Sequence, residues 1–439
     1  MAVSEVKLGL IGLGTVGTGV VQLLEHNHDA ITRKLGRSLR LVHVASRSIH
    51  TQPHADLGRM RLSTDPWAVV HDPEVAVVVE LIGGIEPACS LILEAIKRGK
   101  DVVTANKALL ALQGGEIFAA AEARGISVGF EASVAGGIPI IRTLREGLAA
   151  DRNRALFGIV NGTCNYILTK MSEEGEEFDT VLRRAQEQGL AEADPSFDID
   201  GIDAAHKLTL LAMLAFGVRV PFAGVYTEGI RHLSQTDILF AREFGYTLKL
   251  LAIAKDEDGA IDVRIHPTMI PRRTLLADVG GAYNAIFVQG EALGSSLYFG
   301  RGAGSLPTAT AVLADVIEIA RNRGLAGGLR VPPLGYPWHD LRTAPLRSID
   351  DLESEYYLRF MAVDRPGVLA TIAGILGEHS ISIASVIQRG RSEADETVPL
   401  VMRTHTARER NLKDALCLVD QLPVVQGKSV FIRIEENLG

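Results

Sequence analysis

Lys7-Leu8-Gly9-Leu10-Ile11-Gly12-Leu13-Gly14-Thr15-Val16-Gly17 is the stretch on which the fold turns. Five residues of apolar, strand-like sequence run into three glycines at Gly-x-Gly-x-x-Gly spacing, and Val20, Val21, Leu23 and Leu24 then recur at helical spacing. A glycine turn between a strand and a helix aims backbone N–H groups and the positive end of the helix dipole at one point, which suits a pyrophosphate. By itself the fingerprint also fits a tight strand–helix turn with no ligand. The following sequence decides for the dinucleotide reading. Strands are predicted at Leu41–Ala45, Val75–Leu81, Asp101–Thr104 and Ser127–Phe130, with helices at Pro87–Arg98 and Glu116–Arg124 between them. Apolar strands alternating with helices specify a parallel sheet covered on both faces. The expectation is a Rossmann-type doubly wound α/β domain over 1–137, completed by a helical segment, 306–323, that returns to it.

Beyond Glu131 the rhythm changes. Helices are predicted at Ile138–Ala149, Cys164–Glu174, Phe178–Gln188 and Gly201–Phe216, then strands near Val263–Ile270, Ala285–Ala292 and Ser296–Phe299, which reads as an α+β catalytic and dimerisation domain over 138–305. Residues 324–354 hold Pro332, Pro333, Pro337 and Pro345 with Gly327 and Gly328, and read as a linker. From 355 to 439 the order is strand, helix, strand, strand, helix, strand, the ferredoxin-like βαββαβ arrangement.

The chain has 439 residues, 47% hydrophobic and 22% charged, enough for several cores and unlike a disordered or fibrous protein. A formal charge of -8 argues against a broad nucleic-acid or anionic-membrane footprint, so any phosphate must be held locally. Three widely spaced cysteines, Cys89, Cys164 and Cys417, supply neither a disulfide framework nor a Cys-x-x-Cys metal pair. The most apolar run, Leu208 to Val218, is too short to cross a bilayer, and no signal peptide is evident. A soluble cytoplasmic protein is expected.

Several constellations could carry chemistry. Ser46-Arg47-Ser48 ends the second strand where an NAD-binding domain would offer a carboxylate to the ribose; a guanidinium with hydroxyls suits a 2′-phosphate, favouring NADP(H) with NAD(H) possible. The plain alternative is that Arg47 is a solvated loop residue. Thr104-Ala105-Asn106-Lys107 ends a parallel strand at the edge where such sheets bind ligands, although surface lysines are common. Phe130-Glu131 through Val134, Gly136, Ile138 and Pro139 offers one carboxylate with backbone carbonyls, a set suited to a hard monovalent cation, or else is a Gly-rich crossover. The acidic run from Gly189 to Lys207 holds Glu192, Asp198 and Asp203, with Asp203 and Lys207 at i, i+4. An exposed pair of that kind is worth only a few tenths of a kcal/mol, but the helix continues in Leu208, Leu210, Leu211, Met213 and Leu214, so its charges should lie at a cleft. A desolvated lysine there approaches a pKa suited to proton transfer. Cys164 invites a thiol-nucleophile reading, with buried inert cysteine as the commoner case, and His206 reads as a packed histidine rather than a ligand.

Taken together, Gly12–Gly17, Thr104–Lys107, Glu131–Pro139, Gly158–Thr163, Gly189–Lys207 and Gly302–Thr308 resemble the homoserine dehydrogenase family, in order, from the N-terminus to about Arg321. Val363–Leu369 with Ile381–Ile383 resembles an ACT domain, the small-molecule sensor that many bacterial-type members carry, and no N-terminal kinase domain is seen, as in monofunctional members. The resemblance implies NAD(P)-dependent interconversion of L-aspartate 4-semialdehyde and L-homoserine, in threonine and methionine biosynthesis. It implies Lys207 as proton donor and Lys107 as a contact to cofactor and substrate, with Glu192, Asp198 and Asp203 binding substrate. Gly12, Leu13, Gly14, Thr15, Val16, Gly17, Arg47, Thr104, Gly189, Glu192 and Gly304 would serve the cofactor. Glu131 with the carbonyls of Val134, Gly136 and Ile138 corresponds to the family's sodium or potassium site. A homo-oligomer, dimer or tetramer, and allosteric threonine at the ACT module are expected. The rivals are an aldehyde dehydrogenase using Cys164 and a non-catalytic amino-acid sensor.

Overall fold

The structure, a computed structural model, describes residues 5–47, 58, 60–257, 259–323, 330–388 and 397–438. A six-stranded parallel sheet runs Arg61–Ser63, Ser38–Ala45, Glu5–Ile11, Val77–Glu80, Asp101–Thr104, Val128–Gly129, the order 3-2-1-4-5-6 of a dinucleotide-binding domain. Both faces are covered, so its strands are apolar throughout: Val77, Val78 and Val79 are all buried. The helix Ser305–Asn322 does return from beyond the second domain and packs along the fingerprint helix Thr15–His26, burying Ala309, Val312 and Val316 against Val20 and Leu24. Gly19 is where the two helices meet; a Cβ there would fall 2.6 Å from the Ser305 hydroxyl.

The second sheet is antiparallel across Gly294–Arg301, Tyr283–Gly290, Asn153–Ile159, Tyr246–Glu257 and Ala260–Pro271. Two of these strands, Asn153–Ile159 and Tyr246–Glu257, escape a reading by apolar pattern. The second is broken by Lys249, Lys255 and Asp256, yet Lys249 is buried, donating to the Val279 carbonyl at 2.6 Å and to Asn165 Oδ1 at 3.1 Å. Helix bounds differ as well. The predicted Glu116–Arg124 begins at Lys107, where the Asn106 side chain accepts the Leu109 N–H, and the predicted Ile138–Ala149 is a short helix, Ile140–Arg142, running into a π-helical turn, Thr143–Gly147.

The proline-rich stretch expected as a spacer is packed where it is described. Leu334 and Leu341 are buried, the Trp338 ring lies tilted 6.2 Å from Phe118, and Arg342–Thr343 pairs in parallel with Val218–Arg219. Gly327 and Gly328 lie outside the described residues.

The C-terminal module has the expected βαββαβ order: Glu353–Val363, Val368–Glu378, Ile383–Gln388, Thr397–Thr404, Glu409–Val419, Val430–Ile434. Its strands join the second sheet through a parallel contact of Thr268 with Arg433 and Met269 with Ile434. Alternation along Glu353–Val363 divides the labour: Tyr356, Leu358 and Phe360 enter the module's own core, whereas Tyr357 and Arg359 face the catalytic domain and bond to Asp237 at 3.1 and 2.7 Å. Arg433, 2% exposed, forks onto Glu409 with two 2.6 Å bonds and reaches Glu228 of the catalytic domain at 2.8 Å. Arg433→Ala would strand two carboxylates and is expected to destabilise the protein by about 3–5 kcal/mol, whereas the paired change Arg433→Met with Glu409→Leu should recover most of the loss. Chemical unfolding of the three proteins checks this.

Candidate active site

A cleft of about 440 Å³ opens between the two sheets, at the carboxyl ends of the parallel strands. Lys207 enters it from the helix Ile202–Phe216, nearly all of whose residues are buried. The residue is 9% exposed, and its ammonium donates to Asp203 Oδ2 at 2.6 Å and to the Val160 carbonyl at 2.7 Å. Lys107, first residue of its helix, approaches the other oxygen, Asp203 Oδ1, at 3.1 Å. One carboxylate therefore lies between two ammonium groups. These lysines, with Asn161 Nδ2 at 2.9 Å, hold the Asp203 carboxyl well below the usual carboxylate range despite its burial. Burial pushes the Lys207 pKa down, opposed by Asp203. Asp198 goes the other way: desolvation and the neighbouring Asp203 charge raise it, while Asn161 Nδ2 at 2.8 Å and the Thr163 hydroxyl at 3.3 Å hold its oxygens.

Asn161 and Thr163 were not assigned from sequence. The signal was present in Asn161-Gly162-Thr163, a helix start after a strand: Asn161 Oδ1 caps the helix by accepting the Cys164 N–H, which turns its amide nitrogen toward both aspartates. His206 is packed, as expected. Its ring stacks 4.4 Å from Phe222 and lies tilted 5.6 Å from Phe197, whose own ring has Lys107 5.8 Å above it.

At the opposite end Thr15, Val16, Gly136, Gly304 and Thr308 line the same cleft. Gly12 needs its glycine: its φ is +104°, and a Cβ would fall 2.7 Å from the Leu81 carbonyl. Gly14 has open space where a Cβ would be, its residue starts the helix without a side-chain cap, and no acid occupies the first turn. The helix Ser305–Asn322 begins beside it, its Ser305 hydroxyl donating to the Thr15 carbonyl at 2.7 Å. Two uncapped helix N-termini thus converge, a cradle that fits a dinucleotide pyrophosphate.

The other expected residues are spread more widely. Gly189 and Glu192 line the cleft, Glu192 as an exposed rim residue. Gly17 and Leu13 shape the turn from behind: Leu13 is buried, and a Cβ on Gly17 would meet the Gly12 carbonyl at 2.1 Å. Thr104 is fully buried with its hydroxyl donating to Glu80 at 2.6 Å, so it supports the strand end beneath Lys107. Arg47 is exposed at the end of its strand and is not among the cleft-lining residues; Ser48 lies outside the described residues. Glu131 is buried, accepting the Ile141 and Arg142 N–H groups at 2.8 and 2.9 Å. Ala135 and Gly136 follow with φ of +54° and +55°, while the Ile138 carbonyl accepts the Ile140 N–H.

Cys164 is fully buried, its thiol directed at the Asp198 carbonyl at 3.2 Å, and burial beside Asp198 and Asp203 pushes its pKa well up. A thiol so held is a poor nucleophile.

A dinucleotide cradle facing a lysine–carboxylate pair defines a nicotinamide-dependent dehydrogenase. Family models for the homoserine dehydrogenase NAD-binding domain, for homoserine dehydrogenase and for the ACT domain match residues 12–131, 139–317 and 356–422. The homoserine dehydrogenase of Pseudomonas aeruginosa is 47% identical over 98% of this chain and 99% of its own length, and that of Neisseria gonorrhoeae 44% identical over 98% of each. The crystal structure of a homoserine dehydrogenase from Thiobacillus denitrificans superposes with a TM-score of 0.93 at 48% identity, covering 100% of this chain and 99% of that one. A hyperthermophilic archaeal homoserine dehydrogenase mutant in complex with NADPH gives 0.62 at 26% identity over 72% of this chain and 98% of its own. The chain belongs to the homoserine dehydrogenase family.

In the native protein a disulfide reagent should titrate Cys417 alone, since Cys89 and Cys164 are buried, and all three thiols should react in denaturant. Rapid native reaction of Cys164 would reopen the thiol mechanism.

Proposed function

We propose that the chain interconverts L-aspartate 4-semialdehyde and L-homoserine with NADP(H) as the preferred cofactor and NAD(H) as a possible one. The observation that carries this is the Lys107–Asp203–Lys207 array facing the dinucleotide cradle within one cleft. When bound, the nicotinamide supplies hydride to the aldehyde carbon or removes it from the alcohol. Lys207, the buried ammonium, gives a proton to the carbonyl oxygen as it becomes a hydroxyl, and in the reverse direction its neutral amine takes that proton back. Two of its three donors are spent on Asp203 and Val160, which fixes the remaining one toward the cleft. Lys107 contacts substrate and cofactor. Asp203, Asp198 and Glu192 present negative charge to the substrate ammonium, and the Asn161 amide nitrogen, donating to both aspartates, holds them side by side.

Thr15, Val16, Gly14, Gly189 and Gly304 would hold the cofactor, with Gly12 and Gly17 shaping the turn; Arg47, at the strand end where the ribose lies in such domains, supports the preference for a 2′-phosphate. Glu131 with the carbonyls of Val134, Gly136 and Ile138 supplies an all-oxygen set for sodium or potassium. The carboxylate keeps acceptor capacity beyond its two N–H bonds, and consecutive left-handed residues set the course of the carbonyls between them. We also propose a cytoplasmic homo-oligomer, dimer or tetramer, in threonine and methionine biosynthesis, with feedback by threonine through the ACT module. Among the described residues no helix is long and apolar enough to cross a membrane.

Lys207→Ala should lower turnover by roughly 10²–10⁴-fold while leaving NADPH binding intact; loss of NADPH binding instead would refute the assignment. Because burial lowers the Lys207 pKa and oxidation needs its neutral form, homoserine oxidation should rise with pH along a limb centred below 10.5 while semialdehyde reduction falls over the same range. Both limbs should vanish in Lys207→Arg. For the cofactor, kcat/KM should be higher with NADPH than NADH and Arg47→Ala should narrow the gap; equal values in the parent enzyme would defeat the 2′-phosphate reading.

A further inference from the structure

Glu80 ends the central parallel strand Val77–Glu80, paired with Ile11 on one side and Thr104 on the other, so it stands between the glycine turn and the start of the Lys107 helix. The residue is fully buried, and no lysine or arginine forms an ion pair with it among the described residues. Burial pushes its pKa up, opposed by donors from Thr104, Ile82, Gly83 and Asn106. A carboxyl taken out of water without a countercharge is costly, and an apolar residue at this strand position would be cheaper to fold. Its presence is explained by what it holds.

Oε1 accepts the Ile82 and Gly83 N–H groups at 2.8 and 3.2 Å, and Oε2 accepts the Thr104 hydroxyl at 2.6 Å. The Thr104 oxygen in turn accepts the Asn106 N–H at 3.0 Å, and Asn106 Nδ2 donates to the Gly84 carbonyl at 2.6 Å. These bonds close a ring through Glu80, the loop 82–84, Asn106 and Thr104. Asn106 is also the cap of the helix Lys107–Arg124. On its far side the ring abuts the glycine turn: the Leu81 N–H donates to the Ile11 carbonyl at 2.8 Å, and the Leu81 carbonyl is the atom that a Cβ on Gly12 would strike. Gly83 and Gly84, with φ of +69° and +75°, leave the loop free to take other paths, so its course depends on the carboxyl.

We propose that Glu80 is a positioning residue for Lys107: its buried carboxylate locks the loop 82–84 to the strand end 104–106, so that the helix starts where the Lys107 ammonium meets Asp203, 3.1 Å away in the cleft. The inference rests on the proposed role of Lys107 as a contact to substrate. Where a misplacement of about 1 Å costs about 10²-fold in rate, a helix start tied to the glycine turn holds the lysine and the dinucleotide cradle in one frame.

Glu80→Gln and Glu80→Leu in the full-length enzyme test it, each alone and combined with Lys107→Ala. Glu80→Leu should lower kcat/KM for homoserine by about 10²-fold, and Glu80→Gln, which keeps the shape and one acceptor oxygen, by about threefold or more. In the Lys107→Ala background neither should cost more than about twofold, because the effect runs through that lysine. Labelling with acetic anhydride, mapped by mass spectrometry, reads the same placement without turnover. Lys107 should be acylated about threefold or more faster in both variants as its ammonium leaves Asp203, while the buried Lys249 of the second sheet reacts as slowly as in the parent. Glu80→Gln carries the test if Glu80→Leu fails to fold. The proposal is overturned if Glu80→Gln matches the parent in kcat/KM, if the loss persists in full in Lys107→Ala, if Lys107 labelling is unchanged, or if Lys107 and Lys249 labelling rise together. A parent enzyme that does not oxidise homoserine, with Lys107 labelling raised in the variants, would refute the catalytic reading and leave the positioning role standing.

Discussion

The catalytic half of the molecule is organised around one buried carboxylate. Asp203 and Lys207 are both withdrawn from water, and either alone would cost several kcal/mol; together, with Asn161 and the Val160 carbonyl filling the remaining bonds, they become tolerable. That requirement fixes much else. Val160 must end its strand beside the helix Ile202–Phe216, Asn161 must cap the next helix so that its amide faces back, and Lys107 must start its own helix at the matching edge of the parallel sheet. The link between the two domains is the second ion pair of the same carboxylate, Lys107 to Asp203 at 3.1 Å, which joins the edge of the parallel sheet to the helix that carries Lys207.

The opposite end of the cleft relies on a different economy. No excess of basic side chains offsets the net charge of -8. Uncapped backbone N–H groups come together at the paired starts of Thr15–His26 and Ser305–Asn322, whose closeness depends on the absence of a side chain at Gly19. Binding that depends on aligned N–H groups is directional and short in range, so the surrounding acidic surface does little to oppose it.

Much of this was legible in the sequence because it follows from local pattern. The glycine fingerprint, the alternation of strands and helices, the Asp203–Lys207 spacing and the ferredoxin-like order each have a short-range signature. What escaped reading depends on contacts distant in sequence. Tyr246–Glu257 is a central strand whose lysines find carbonyl and carboxylate partners across the sheet, so its charges disguised it. The prolines after Pro332 signalled an extended spacer, yet Trp338 and Leu341 give that extended chain a surface to lie on. Asn161 was visible as a cap but not as a ligand of two aspartates, because its partners lie 37 and 42 residues away.

The two-residue pairing of Thr268 and Met269 with Arg433 and Ile434 is small, but it means the C-terminal module is not a bead on a string. Cutting it away would bare the long strand Ala260–Pro271 along part of one side, leaving open backbone groups and the apolar flank formed by Ile265 and Met269. Such an edge invites another chain to pair with it. Loss of the module would therefore show first as a defect of solubility, before any question of regulation arose.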